Sequence, residues 1–248
     1  MQLRLALAIA TLVALAPLHA GGTEPVNVGL RLGYYQQIDN GGIAQVDEDG
    51  SVFQAIIMVD APLTDRDSIH ARVLTDIVSS ASITRKHNPS YRAAQSGASG
   101  AVHVDFRAGY SHRFDTWELS LGGSGSWDYA YRSMGANLGA SVSFLDKTAT
   151  LRLGLSGFYD RVAMIRFNGE DDPDQTRWTI AANLGWSHIL TPKTVLDLSL
   201  SHTTQGGFLA GQFNSVFLGS VEASEELPNS RNRTALTARI KQGIGDHH

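Results

Sequence analysis

The sequence predicts an all-β protein, a transmembrane up-and-down antiparallel β-barrel, and three patterns carry that prediction. Segments of ten residues or more alternate strictly between apolar and polar positions. The connections between them alternate between tight turns and long polar loops. The residues that a hairpin brings together match in polarity. A period of two indicates a strand with one apolar and one polar face, and about ten tilted residues cross a bilayer.

The clearest alternation runs from Trp117 to Trp127. Those ten steps correspond to about 33 Å along a strand and, after tilt, to the roughly 25 Å height of an apolar band between two aromatic girdles. A secreted β-sandwich with an aromatic core is the alternative, but its strands average only about 5–6 residues. The aromatic residues predicted at the periplasmic rim are Phe114, Trp117, Phe144 and Trp186, and those at the outer rim are Tyr34, Trp127, Tyr159 and Trp178.

The N-terminus has the pattern of a secretory signal peptide. Arg4 precedes an apolar run that ends near Leu15, and Pro17 and Ala20 follow before two glycines. The run is shorter than the about 20 residues that a spanning helix needs. The sequence therefore predicts a signal peptide over residues 1–20, cut after Ala20, and a barrel domain over residues 21–248.

The alternation predicts ten strands, over residues 26–36, 52–61, 67–78, 102–114, 117–127, 133–145, 148–160, 177–190, 194–204 and 232–242. Short turns are expected at 62–66, 115–116, 146–147 and 191–193, and long polar loops at 39–51, 79–101, 161–176 and 205–231. Short periplasmic turns and long extracellular loops are typical of outer-membrane barrels. We therefore expect the short turns in the periplasm and the long loops outside the cell.

Two hairpins predict their own register. A two-residue turn at Asp115-Thr116 sets Phe114 opposite Trp117 and Arg113 opposite Glu118. A turn at Asp146-Lys147 likewise sets apolar residues opposite apolar ones, and polar residues opposite polar ones, along the whole hairpin. Apolar residues then meet apolar ones throughout, as register requires where one face is apolar. The pairs expected further along are Tyr110–Leu121, Arg107–Ser124 and Val104–Trp127 in the first hairpin, and Phe144–Ala149, Val142–Leu151, Leu138–Leu155, Asn137–Ser156 and Ser133–Asp160 in the second.

Three stretches resemble an uncharacterised family of bacterial outer-membrane barrels, known only as a domain of unknown function. They are residues 76–82, residues 127–151, and residues 207–233. The resemblance implies a barrel, with no assigned activity and no catalytic residues. It also implies further strands past His248, and the closing residues Gly243 to Asp246 have the composition of a turn. We therefore expect the barrel to be incomplete at its C-terminus.

Charged and amide side chains of the predicted strands fall on the polar face and are the candidates for lining a lumen. They can set a pore's selectivity, or pair with one another and fill the interior. We favour pairing for most of them. Arg113–Glu118 is the clearest pair, and Arg107 and Asp105 stand two residues apart on the same face. The candidates are Arg31, His70, Arg72, Asp76, His103, Asp105, Arg107, Arg113, Glu118, Asn137, Arg152, Asp160, Arg177, Asn183, Asp197 and Arg239.

Cofactor and enzyme chemistry find little support. The chain has no cysteine, which excludes disulfides and thiol catalysis. A metal site among the candidate His and Asp residues is not favoured, because no ligand spacing is fixed. The acidic tips at 47–50 and 170–174 do not match a calcium loop. Ser187-His188 and Ser201-His202 alternate between faces, which is the wrong geometry for a nucleophile and its base, and His112, His188 and His202 fall on the apolar face. We expect no catalytic residues, no metal and no cofactor.

The expected function is passage of a small solute across a bacterial outer membrane, with membrane lipid as the surroundings of the barrel. The alternative is a non-conducting structural barrel that anchors an envelope protein partner, and an outer-membrane enzyme is a second alternative. The net charge of −4, without a basic-aromatic patch, argues against a nucleic-acid partner. Composition does not separate an open lumen from a filled one.

Overall fold

The computed structural model describes residues 6–12, 25–37, 50–80, 101–128, 131–165, 171–210, 215–217, 222–224 and 228–244. This part of the chain is all β, without a helix that could span a membrane. The strands are β1 Ala6–Leu12, β2 Asn27–Gln37, β3 Gly50–Pro62, β4 Asp67–Ser80, β5 Ala101–Arg113, β6 Trp117–Trp127, β7 Tyr131–Phe144, β8 Ala149–Ile165, β9 Asp171–Thr191, β10 Thr194–Gly207, β11 Ser215–Phe217, β12 Glu222–Ser224 and β13 Ser230–Gln242.

One antiparallel sheet contains every strand except the short hairpin of β11 and β12. Its strands follow one another in chain order from β1 to β10, and β13 pairs next to β10. The ten predicted strands correspond to β2–β10 and β13, so the all-β meander is confirmed. Neighbours along the chain pair in space both across short turns, as β5 and β6 do, and across longer connections, as β4 and β5 do.

The predicted register of both hairpins is confirmed. Arg113 pairs with Glu118 and Val104 with Trp127, and all five pairs expected in the second hairpin are present. The amide of Phe114 donates to the carbonyl of Trp117 at 2.8 Å and closes the first turn. In the second turn, Leu145, Asp146 and Lys147 have positive φ angles of 50°, 51° and 66°. Successive positive φ angles give the backbone twist that a tight hairpin needs.

The connection between β8 and β9 differs from the prediction. Residues 161–176 were expected to form a long loop, but β8 continues to Ile165 and β9 begins at Asp171. A bulge near Met164 adjusts the pairing, and Arg161 Nε lies 2.6 Å from Asp174 Oδ2. The segment from 171 to 176 is polar and acidic, so it lacks the apolar alternation that would have revealed a strand. Backbone pairing extends the hairpin nevertheless.

The sheet is not closed into a ring. Among the described strands, β1 and β13 each pair on one side only, and β2 does not pair with β13. An open sheet agrees with the expected incomplete barrel. The outermost strand, β1, lies inside the predicted signal peptide and pairs with β2 from Ala6–Gln36 to Leu12–Leu30. The signal peptide itself stays a prediction.

The two faces of the sheet differ in chemistry, and the apolar side chains are not gathered into an interior. In the described residues only Val26, Ala149, Val162 and Met164 are buried apolar residues. The large apolar side chains that remain exposed lie almost entirely on one continuous face, as Leu121 does with 57% exposure. Met58, Leu74 and Phe158 lie on the other face. One row across five strands of this face reads Leu119, Ala140, Leu153, Leu184 and Leu200, and it continues to Leu236 on β13.

Aromatic side chains border that apolar face at both ends of the strands. Near the short turns, Phe114 and Trp117 stack with ring centroids 3.6 Å apart. At the opposite ends, Tyr159 pairs with Trp178. The Trp178 ring lies over Gly206, where a Cβ atom would come within 2.4 Å of it. A glycine is therefore required at this position for the ring to lie against the strand.

Candidate functional site

The polar face of the sheet is the candidate functional surface. Strand pairing connects its residues into transverse rows, and all sixteen sequence-predicted candidates lie on this one face. One such row runs from Arg31 through Asp105 and Asp160 to Arg177. Facing a lumen requires the sheet to curve around it, and this part of the assignment stays a prediction.

A buried cluster lies on this face near the long-loop ends of β7, β8 and β9, and we call it the Asp160 cluster. Asp160 accepts hydrogen bonds from Arg177 Nε at 2.8 Å and from Ser133 Oγ at 2.7 Å. Arg177 also donates to Tyr131 Oη at 3.1 Å, and its guanidinium lies 5.4 Å from the Tyr131 ring centre. The side chain of Asp160 is only 3% exposed and that of Arg177 20%. A buried carboxylate is stable here because its charge and its lone pairs are satisfied.

Sequence reasoning placed Asp160 and Arg177 on the polar face and paired Ser133 with Asp160. It missed Tyr131, because the predicted strand began at residue 133 while β7 begins at Tyr131. A tyrosine two residues before the predicted start, in phase with Ser133, is the signal that could have found it.

The two predicted charge pairs are present, and their arginine side chains are exposed by 70% and 62%. Arg113 Nε lies 3.5 Å from Glu118 Oε2, with side chains 70% and 38% exposed. Arg107 Nε lies 3.2 Å from Asp105 Oδ1. Exposed pairs contribute roughly 0–1 kcal/mol. They therefore tune the charge of the surface more than its stability.

Asp76 and His103 face each other in register but do not form a metal-ligand set. Asp76 accepts a hydrogen bond from Gln54 Nε2 at 2.8 Å, and His103 Nδ1 lies 3.7 Å from Asp128 Oδ2. Among the described residues, no three His, Asp or Glu side chains converge as metal ligands would. The sequence analysis did not single out Gln54 as a partner of Asp76 or Asp128 as a partner of His103.

The remaining candidates do not form a single cluster. Asp197 accepts from Ser187 Oγ at 2.7 Å and lies 3.8 Å from Lys241 Nζ, and Arg239 is its partner in register. The imidazole of His70 occupies the space over Gly109, where a Cβ atom would be 2.1 Å from His70 Nε2. The other positions are Arg152 opposite Ser141 and Gly185, Asn137 opposite Gly122 and Ser156, Asn183 opposite Gly154 and Ser201, and Arg72 opposite Met58 and Arg107.

A polar cavity of about 230 Å³ opens at the short-turn end of β3–β6. Next to it, the carboxylate of Asp67 accepts from His112 Nδ1 at 2.6 Å, from Thr64 Oγ1 at 2.5 Å and from Tyr110. His112 and Asp67 pair on the apolar face, so their contact is a polar element at its rim. The lining residues are Pro62, Thr64, Asp65, Arg66, Asp67, Ser68, Ser111, Arg113 and Glu118.

The serine-histidine dipeptides keep the alternation that the sequence indicated. Ser187 pairs with Asp197 on the polar face, while His188 pairs with Leu196 on the apolar face. His202 Nδ1 lies 2.8 Å from Thr234 Oγ1, its register partner on the apolar face. Within each dipeptide, serine and histidine are thus on opposite faces.

Comparison with known proteins gives one match. The sequence model of a family described as protein of unknown function (DUF3570) matches residues 4–248. The chain belongs to this family. No curated protein and no solved structure matches the chain significantly. Membership in DUF3570 assigns no activity, so function has to be argued from the two faces of the sheet.

Proposed function

We propose that this DUF3570 protein forms part of the wall of a bacterial outer-membrane β-barrel that lets a small solute pass. The continuous exposed apolar face of β2–β10 and β13 carries the proposal, because a soluble monomer rarely leaves a large apolar patch in water. Lipid is the solvent that suits such a face, and antiparallel strands of this length, once closed, satisfy every backbone group there. The predicted signal peptide supplies the route of export.

The polar face supports an aqueous lumen on its other side. Along β6 and β7 it is formed largely by small residues, including Ser120, Ser124, Ser126, Ser133 and Ser141. Small hydroxyl side chains leave space for water. Barrels of about eight strands are filled by their own side chains, while those of about 16 leave a channel. A wall that contains these ten strands is wider than the filled type.

A non-conducting anchoring barrel is the second candidate, and the Asp160 cluster favours it. Four side chains from three strands meet there and keep Asp160 away from water. Clusters of this kind, repeated around the interior, would fill the lumen. The barrel would then serve an envelope partner through its loops or turns.

Membrane fractionation together with conductance measurement tests the proposal. The tagged full-length protein should sediment with the outer membrane and, after purification into planar bilayers, should give discrete conductance steps. Protein found in the periplasmic or cytoplasmic fraction would reject the membrane assignment. Outer-membrane protein that folds in bilayers without conducting would favour the anchoring barrel.

A further inference from the structure

One transverse row of the polar face carries arginine without any carboxylate, and we call it the Arg72 row. Following the strand pairs from β2 to β13, it reads Gly29, Met58, Arg72, Arg107, Ser124, Gly135, Phe158, Thr179, Gln205 and Arg231. Arg72 and Arg107 are direct cross-strand partners. Like charges placed directly opposite each other destabilise a sheet, so this pair calls for a compensating group.

Other groups of the protein neutralise the positive charge of this row only in part. Arg107 has Asp105 at 3.2 Å. Arg231 donates to the neutral amide oxygen of Gln205 at 3.0 Å and 2.6 Å. Among the described residues, Nε of Arg72 is a buried nitrogen without a hydrogen-bond partner. A buried donor left unpaired costs free energy, so Nε of Arg72 adds an unsatisfied group to a row that already carries like charges.

The neighbouring row on the long-loop side has balanced charge. It carries Arg31 and Arg177 against Asp105 and Asp160. Arg177 and Asp160 neutralise each other there at 2.8 Å. The positive character is therefore concentrated at the Arg72 row and not spread evenly over the surface.

The polar face as a whole has the opposite charge balance to the chain, whose net charge is −4. In the described strands β2–β10 and β13, the cations of this face outnumber its carboxylates. The cations are Arg31, Arg72, Arg107, Arg113, Arg152, Arg177, Arg231, Arg233, Arg239 and Lys241, and the carboxylates are Asp60, Asp76, Asp105, Glu118, Asp160, Asp172 and Asp197. Rings of arginine or lysine select anions in pores.

We infer that the Arg72 row is an anion-selecting site and that the solute is a small anion, with Arg72 and Arg107 binding it side by side. The inference rests on the proposed function, since selection requires that this face line a lumen. Guanidinium groups present several donors in a fixed geometry that suits the oxygens of a carboxylate or phosphate. A passing anion held by the two guanidinium groups would relieve the repulsion between the two arginines.

Reversal potentials in planar bilayers test the inference, with potassium chloride as the probe. In a salt gradient, the full-length protein should pass chloride in preference to potassium. The double variant Arg72→Gln/Arg107→Gln should lower the chloride-to-potassium permeability ratio by at least about twofold, because two unit charges at the ion's path are lost. Arg72→Lys/Arg107→Lys keeps the charge and should keep the preference. The matched control is Arg132→Gln, on the apolar face opposite Trp127.

Each of the following results either supports or overturns the anion site. Chloride preference that falls in the glutamine variant and persists in the lysine variant and in Arg132→Gln supports the site. A conducting protein that prefers potassium, that lacks preference, or whose preference is unchanged by the double glutamine variant overturns the anion site and leaves the channel intact. Folded protein without conductance overturns the channel, and the anion site with it. Circular dichroism of every variant in the same lipid verifies folding.

Discussion

Removing the Asp160 carboxylate should destabilise the sheet far more than removing an exposed carboxylate. In Asp160→Ala, Arg177 loses its partner at 2.8 Å and Ser133 loses its acceptor at 2.7 Å. Breaking a buried ion pair costs about 3–5 kcal/mol, because the remaining charge is left uncompensated. The Arg177 side chain is 20% exposed, so water can reach part of it. We therefore expect about 3 kcal/mol, the lower end of that range.

Glu118→Ala is the matched comparison. It removes a carboxylate from the same face at 3.5 Å from Arg113, where the two side chains are 38% and 70% exposed. Its cost should be at most about 1 kcal/mol. Free energies of unfolding, measured by urea titration of the protein refolded into lipid vesicles, give both numbers. Equal losses in the two variants, or a loss below about 1 kcal/mol for Asp160→Ala, would refute the argument that burial decides the strength of these pairs.

Three further predictions concern topology, the apolar face and its rim. A cysteine at Asp172, labelled by an impermeant reagent on intact cells, should react while one at Lys147 should not; labelling at Lys147 alone would invert the topology. Arginine at Leu121 should cost about 2–4 kcal/mol in bilayers and arginine at Ser120 much less; equal costs would argue against two distinct faces. Asp67→Ala, which removes the acceptor of three side-chain donors, should lower the free energy of unfolding in the same assay; an unchanged free energy of unfolding would show that the rim cluster contributes nothing.

Sequence periodicity predicted the strands well where apolar and polar residues alternate along the strand. The bounds of β6 agree with the predicted 117–127, because every odd position there is apolar or small. The outer ends of β8 and β9 were missed, since the acidic residues around Asp172 pair through the backbone without an apolar face. Backbone pairing leaves little trace in composition, and this is also why the short hairpin of β11 and β12 was not predicted.

The sequence predicted which face of the sheet carries the candidate residues, but it did not predict the contacts between them. Parity alone assigned Arg72 to the polar face. It did not indicate that Arg107 is the direct partner of Arg72, because that depends on the register between β4 and β5, which are joined through a long segment and not through a tight turn. Gln54 and Asp76 instead pair across the short turn between β3 and β4, so that turn is the signal that could have indicated their contact. Register within a tight hairpin can be derived from its turn, whereas register across a long connection cannot.

The central claim is that one face of this sheet contacts lipid and the other contacts water. The absence of cysteine from the chain makes single-cysteine variants unambiguous, so spin labels can be placed one at a time at residues 118 to 126 of β6. In bilayers, the account predicts that accessibility to oxygen peaks at the odd positions and accessibility to a water-soluble nickel complex at the even ones, in opposite phase with a period of two. Labels that show no such period, or the inverted phase, would contradict it.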